Sequence, residues 1–166
     1  MIAAAISSFL LAGVMSTFLF LGRSGANIQN YNDMEAESRK ALEIFAEDTR
    51  QASAIAWNSN TNVTLTVNSV SVSYYYDSAN KIFYRRVGTG TPLSLVSNVT
   101  TFQYSAYSIT GSNLPLSSAT ELTTATKSTK QLQVSLEAVR NTRTVSTASN
   151  TVLSARFILR NKRVTA

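Results

Sequence analysis

The chain has 166 residues, 44% of them hydrophobic, with a formal net charge of +6 and neither cysteine nor histidine. Without cysteine there is no disulfide framework and no thiolate chemistry. Without histidine the chain lacks the commonest general base, the commonest metal ligand and the usual pH switch.

Met1 to Gly22 contains no charged residue. That is long enough for a membrane-spanning helix, which needs roughly 20 apolar residues. Ser7, Ser8, Ser16 and Thr17 are compatible with such a span because their hydroxyls bond back to carbonyls one turn earlier. Gly13, Gly22 and Gly25 are its soft points. A cleaved secretory signal fits less well: no basic segment precedes the apolar run within the chain, and the run exceeds the about 7–15 residues of such a signal. Arg23 follows the span, which by the positive-inside rule places the C-terminal part in the cytoplasm unless basic residues precede Met1. The second arrangement is the expectation here. Ile2, Ile6, Phe9, Leu10, Val14, Phe18 and Leu21 are the candidate packing residues of this segment.

After Arg23 the pattern stays helical. Tyr31, Met34, Ser38, Ala41, Leu42, Phe45, Thr49, Ala52 and Ala56 recur at steps of three or four, the spacing of one buried stripe. Glu43 is placed to meet Arg39 or Lys40 one turn away. No proline interrupts positions 1–56, so one helix of about 84 Å is expected at 1.5 Å per residue. No small domain buries such a rod; its front half needs lipid or other copies of itself.

Beyond Trp57 the period becomes two. Val63, Leu65 and Val67 alternate with polar residues, as do Val70, Val72, Tyr74 and Tyr76, with Asn68-Ser69 between them as a tight hairpin turn. Asp77–Asn80 is a second turn, before a strand at Lys81–Val87. Further strands are predicted at Val99–Tyr107, Lys130–Arg140 and Thr151–Arg160. Gly88–Pro92, Thr110–Lys127 and Asn141–Asn150 read as loops. The chain is thus predicted to be α+β: residues 1–22 a hydrophobic helix, 23–57 its amphipathic continuation, and 58–166 an antiparallel sheet head. The stripe, with Tyr31, Met34, Leu42, Phe45 and Trp57 as anchors, packs on one face of that sheet.

Catalytic patterns are absent. No Gly-x-Ser-x-Gly elbow or Ser-x-x-Lys context marks a nucleophile, and Gly88-Thr-Gly90 lacks the third glycine and the lysine of a phosphate loop. Asn58–Asn62 is rich in oxygen but has no carboxylate, so it reads as a connection rather than a calcium loop. Asn62-Val63-Thr64 and Asn98-Val99-Thr100 fit the glycosylation acceptor pattern, which is common by chance in a Thr-rich chain. No metal or cofactor is expected, and the chain is not read as an enzyme.

Charge is uneven. Residues 1–56 carry four basic and six acidic side chains, a balance of −2, whereas residues 57–166 carry eleven basic and three acidic, a balance of +8. Arg85, Arg86, Arg156, Arg160, Lys162 and Arg163 form a candidate basic patch, interleaved with tyrosines at 74–76 and 84. Such a patch binds nucleic acid by stacking and phosphate contact, or meets the acidic helix of a neighbouring subunit.

Met-Ile-Ala-Ala-Ala-Ile, followed by an apolar run that continues into an amphipathic helix, resembles the N-terminal helix of type IV pilins and type II secretion pseudopilins. The tail Leu153–Lys162 resembles the closing strand of minor-pilin-like members. In that family a basic leader, its cleavage site and a glutamate precede this segment; by alignment they would fall just before Met1. The resemblance implies a homopolymeric filament of identical or homologous subunits, with helices bundled in its core and heads outside. It also implies an inner-membrane pool before assembly. Two alternatives remain on the residues themselves: a single-span anchored extracellular β-domain that binds a ligand, and a nucleic-acid-binding minor subunit.

Overall fold

The computed structural model describes residues 2–140 and 149–163. It is α+β: a long N-terminal helix, α1 (Ile2–Gln51), followed by an antiparallel β head. At 1.5 Å per residue, the 50 residues of α1 span about 75 Å.

The helix stops earlier than its stripe predicts. Ser53 N donates to Thr66 O at 2.8 Å, and β1 (Ala54–Ser59) pairs with β2 (Asn62–Val67) from Ala54↔Thr66 to Trp57↔Val63. The Ala-Ile-Ala-Trp alternation buries Ile55 and Trp57 while Ala54 and Ala56 face outward. A long-range ladder therefore ends the local helical repeat, and the head begins at Ala54 rather than Asn58. Trp57 remains a core anchor, but from a strand.

β3 (Val70–Asp77), β4 (Ile82–Val87) and β5 (Leu93–Val96) extend β1 and β2 into a five-stranded meander, β1-β2-β3-β4-β5. The turn between β2 and β3 is Asn68-Ser69, with φ of +50° and +67° and Val67 opposite Val70. Positive φ at both central residues is the twist that matches a two-residue hairpin. The four-stranded second sheet is made of β6 (Val99–Tyr107), β7 (Asn113–Leu114), β8 (Gln131–Arg140) and β9 (Ser149–Ile158), in the order β7-β6-β8-β9. Among the described residues the head thus has two sheets where the alternation alone suggested one.

The Thr110–Lys127 stretch, predicted as a loop, holds β7 and the start of α2 (Ala119–Ser128). Ser118 accepts from Glu121 N, and the Glu121 side chain accepts from Ser118 N, which closes a capping box and satisfies two backbone donors. Of the expected Asn141–Asn150 loop, residues 141–148 lie outside the described residues, and the last two belong to β9.

The core lies between α1 and both sheets. Phe45 on α1 is fully buried, with ring centroids 4.9 Å from Tyr74, 6.4 Å from Phe83, 6.4 Å from Tyr104 and 5.7 Å from Phe157. One helical side chain therefore touches residues of β3, β4, β6 and β9. Trp57 packs edge-on against Tyr104 and donates from Nε1 to Thr129 Oγ1 at 3.0 Å.

Candidate functional site

Two halves of α1 meet different surroundings. Among the side chains described, Asn30 is the first buried along it, and Met34, Ser38, Ala41, Phe45, Ala46, Asp48 and Thr49 follow on the head side. Tyr31, predicted in this stripe, stands 49% exposed at its margin. It precedes the first turn fully seated on the head. Leu42 is partly buried against the core.

The apolar half has no such cover. Its most hydrophobic window has a mean hydropathy of 2.0 and is 0% buried, so among the described residues α1 is a helix long and apolar enough to cross a membrane. Ile2, Ile6, Phe9, Leu10, Val14, Phe18 and Leu21 are all exposed, and so are Leu11, Met15, Leu19 and Phe20. Apolar side chains therefore cover every side of the rod rather than one stripe. A helix hydrophobic all round belongs inside lipid or protein. At roughly 2 kcal/mol for each large side chain, leaving these in water costs on the order of 20 kcal/mol. A whole domain is stable by only about 5–15 kcal/mol, so this half needs a partner. Its polar groups do not oppose burial: Ser7, Ser8 and Thr17 donate to the carbonyls of Ala3, Ala4 and Gly13 at 3.0, 2.8 and 3.0 Å.

Two polar clamps fix the seated half. Asp48 Oδ2 accepts from Arg85 Nε at 2.8 Å and from the Tyr74 hydroxyl, tying α1 to β3 and β4. Burial, and then the hydrogen bond to Asp48, push the Tyr74 phenol far above its usual range, and the Asp48 carboxylate raises Arg85. Nearer the apolar half, Glu37 Oε1 accepts from Ser97 N and Oγ at 3.1 and 3.0 Å. Arg140 lies 3.5 Å from Asp33 and 3.6 Å from Glu37. Arg39 pairs with Glu35 at 2.6 Å rather than with Glu43, the orientation that puts the acid toward the helix N-terminus. Four of the six acids of the stalk, Asp33, Glu35, Glu37 and Asp48, are thus ion-paired within the subunit.

The predicted basic patch divides. On β4 successive side chains face opposite ways: Arg85 points inward to Asp48, while Arg86 is exposed. Lys162 is 7% exposed and donates to the carbonyls of Thr126, Lys127 and Thr129. Burial and the neighbouring Lys130 ammonium draw its pKa down to about 8. Arg156 stacks over the Tyr107 ring, 3.6 Å from the centroid, and donates to Gln133 Oε1. Arg160 and Arg163 are exposed. The structure does not join the β4 arginines to the C-terminal cations: β4 belongs to the first sheet, Arg156 stands on β9 of the second, and Arg160, Lys162 and Arg163 follow β9. Near Arg160 and Lys162 it places Arg50, Lys127 and Lys130, which sequence spacing alone did not associate with them.

No family model matches the chain, and a search of curated proteins gives no match to it.

Proposed function

We propose that the chain is a structural subunit that polymerises through residues 2–21 of α1 into a pilin-like or pseudopilin-like extracellular filament. The observation that carries this reading is the full apolar girth of the free half of α1, continuous with a half clamped to the head. A helix first stored in lipid is re-buried among identical helices. Beyond the first turn, the backbone polar groups stay satisfied within the helix during that transfer. The clamps at Glu37 and Asp48 make the helix and head one lever, so bundling the helices arranges the heads outside. In this reading the head lies beyond the membrane, the partners are copies of the chain or its homologues, and the membrane holds the pool before assembly. The resemblance of Met1–Ile6 and the run after it to type IV pilins supports it.

The same helix also serves a single-span anchor that never polymerises, and one experiment separates the two. Full-length protein purified in detergent is dialysed free of it and viewed by negative-stain electron microscopy, beside a variant lacking residues 1–22. The expected result is fibres of constant diameter from the full chain and a monodisperse head from the variant. Amorphous aggregate or vesicle-bound monomers from the full chain would favour the anchor. Fibres from the shortened variant would remove the helix as the assembly element.

A further inference from the structure

Cations far apart in the chain meet at the end of the head remote from the apolar helix. Arg50 is exposed in the last turn of α1, and the carbonyl of the next residue, Gln51, accepts from Asn161 Nδ2 at 3.2 Å. Asn161 lies between exposed Arg160 and buried Lys162, and Arg163 follows, exposed. Lys162 Nζ reaches the carbonyls of Thr126 and Lys127 at 2.6 and 3.1 Å. Lys130 Nζ reaches the carbonyls of Lys162 and Arg160 at 2.5 and 3.4 Å. Arg50, Lys127, Lys130, Arg160, Lys162 and Arg163 therefore stand on segments that converge at one junction, where the end of α1, the end of α2 and the chain after β9 meet. Among the described residues no ion pair reaches any of the six. Of the acids on the adjoining turns of α1, Asp48 pairs with Arg85, Glu47 accepts from Gln51 Nε2 at 3.2 Å, and Glu43 and Glu47 line a groove with Arg50.

We propose that this pole is a docking surface for the phosphate backbone of double-stranded nucleic acid. Three observations narrow the choice of partner. A second copy of the chain is a poor complement, because Asp33, Glu35, Glu37 and Asp48 are engaged at home. The membrane that takes the apolar half is out of reach, since the 29 residues from Leu21 to Arg50 extend about 44 Å as helix. Two aromatic side chains lie near the junction: Trp57 is buried with its Nε1–H bonded to Thr129, and Tyr107, whose carbonyl accepts from Lys130 N, is half-buried with the Arg156 guanidinium over its ring. Neither is a fully exposed ring of the kind on which single strands stack their bases. What remains is the exposed side chains of Arg50, Lys127, Arg160 and Arg163, none reached by an ion pair among the described residues. Guanidinium forks suit phosphate oxygens, and a duplex presents about one negative charge per 1.7 Å, so its counterion release is large. The surface lies at the seated end of α1 and on the head, and it does not rest on the filament reading.

The test is fluorescence anisotropy of a short labelled duplex of arbitrary sequence, titrated with full-length protein in neutral detergent micelles over a salt series. Affinity is expected to fall steeply with salt, by about 0.9 in log–log slope for each phosphate neutralised. Arg50→Ser/Arg160→Ser/Arg163→Ser should weaken binding on the order of tenfold or more at moderate salt and flatten the slope by about 2 to 3. Lys40→Ser/Lys81→Ser, on exposed residues elsewhere, should change neither. All three changes are at exposed positions, and an unaltered unfolding midpoint verifies that the triple variant is folded. Wild-type binding and slope in the triple variant would overturn the proposal. So would tight binding of polygalacturonate with no measurable duplex binding, which would give the pole to an acidic polysaccharide. Because the assay uses micellar monomers, its failure is distinct from a failure to form fibres.

Discussion

Asp48 in the long helix accepts a 2.8 Å hydrogen bond from Arg85 Nε on β4, with side chains only 10% and 22% exposed. The pair joins helix to sheet near the Phe45 cluster, and the Tyr74 hydroxyl completes it. Removing one partner leaves the other charge uncompensated in a poorly solvated place. Asp48→Ala should therefore cost about 3 kcal/mol in urea unfolding followed through Trp57, the single tryptophan. Asp48→Leu/Arg85→Met, which removes both charges, should recover most of that loss. Equal destabilisation of single and double variants would mean that the charges themselves are not what matters.

The Asn68-Ser69 turn carries a different strain. Ser69 has a φ of +67°, and the left-handed region costs an L-residue with a Cβ roughly 1–2 kcal/mol. Glycine has no such penalty, and Asn-Gly is the favoured pair for this hairpin. Ser69→Gly should raise the stability of the head by about 1 kcal/mol, whereas Val67→Gly in the adjoining strand, fully in register with Val70, should lower it. A destabilising Ser69→Gly would contradict the assigned turn.

Much of this architecture was readable from side-chain periods. The change from three-and-four spacing to two located both the helix and the head, and Val99–Tyr107 coincides with β6. Its limits lie where a distant partner decides. Ala52 to Trp57 continues the helical stripe as well as it starts a strand, and only pairing with Asn62–Thr66 settles which. β5 is four residues long, too short to display a period. α2 is rich in threonine, so propensity hid it, although the Ser118-x-x-Glu121 capping box was a usable signal. At the candidate sites the apolar half of α1 was plain from composition. Strand alternation already implied that Arg85 and Arg86 face opposite ways. The cationic pole was not visible, because it joins Arg50 to residues 110 positions later through the Asn161–Gln51 hydrogen bond.

Lys162 makes stability depend on pH in a definite direction. Its pKa is drawn from the ordinary 10.5 to about 8 in the folded chain. Below pH 8 both states hold the proton and the cost of the buried charge is constant. Between the two values the unfolded chain holds a proton that the folded chain has released, so stability rises with pH. Above about pH 10 the buried tyrosines act oppositely. Tyr74 and Tyr104 are held above their usual range, chiefly by burial, so the unfolded state alone ionises and stability falls. The thermal midpoint is expected to climb from pH 7.5 to 9.5 and then decline. Lys162→Met should abolish the climb and leave the decline. A midpoint that falls steadily from pH 7.5 in the native sequence would refute this assignment.

Phe45 and Tyr31 stand on the same helix, and both were expected to anchor it. Phe45 is 0% exposed against rings from four strands, whereas Tyr31 is 49% exposed. Emptying a site ringed by rigid aromatics leaves a cavity that neighbours cannot fill, so Phe45→Ala should cost about 4 kcal/mol. Tyr31→Ala should stay within roughly 0.5 kcal/mol, as surface changes usually do. The contrast also bears on the lever that couples helix to head. With Phe45 truncated, Glu37 and Asp48 still clamp α1 at both ends of its seat, so the loss should appear as a lower unfolding midpoint, with no early release of the helix. Limited proteolysis tests this: Phe45→Ala is expected to be cut globally at a lower urea concentration. Selective cleavage between residues 30 and 50 with an intact β head would show instead that the core contact, and not the polar clamps, holds the helix in place.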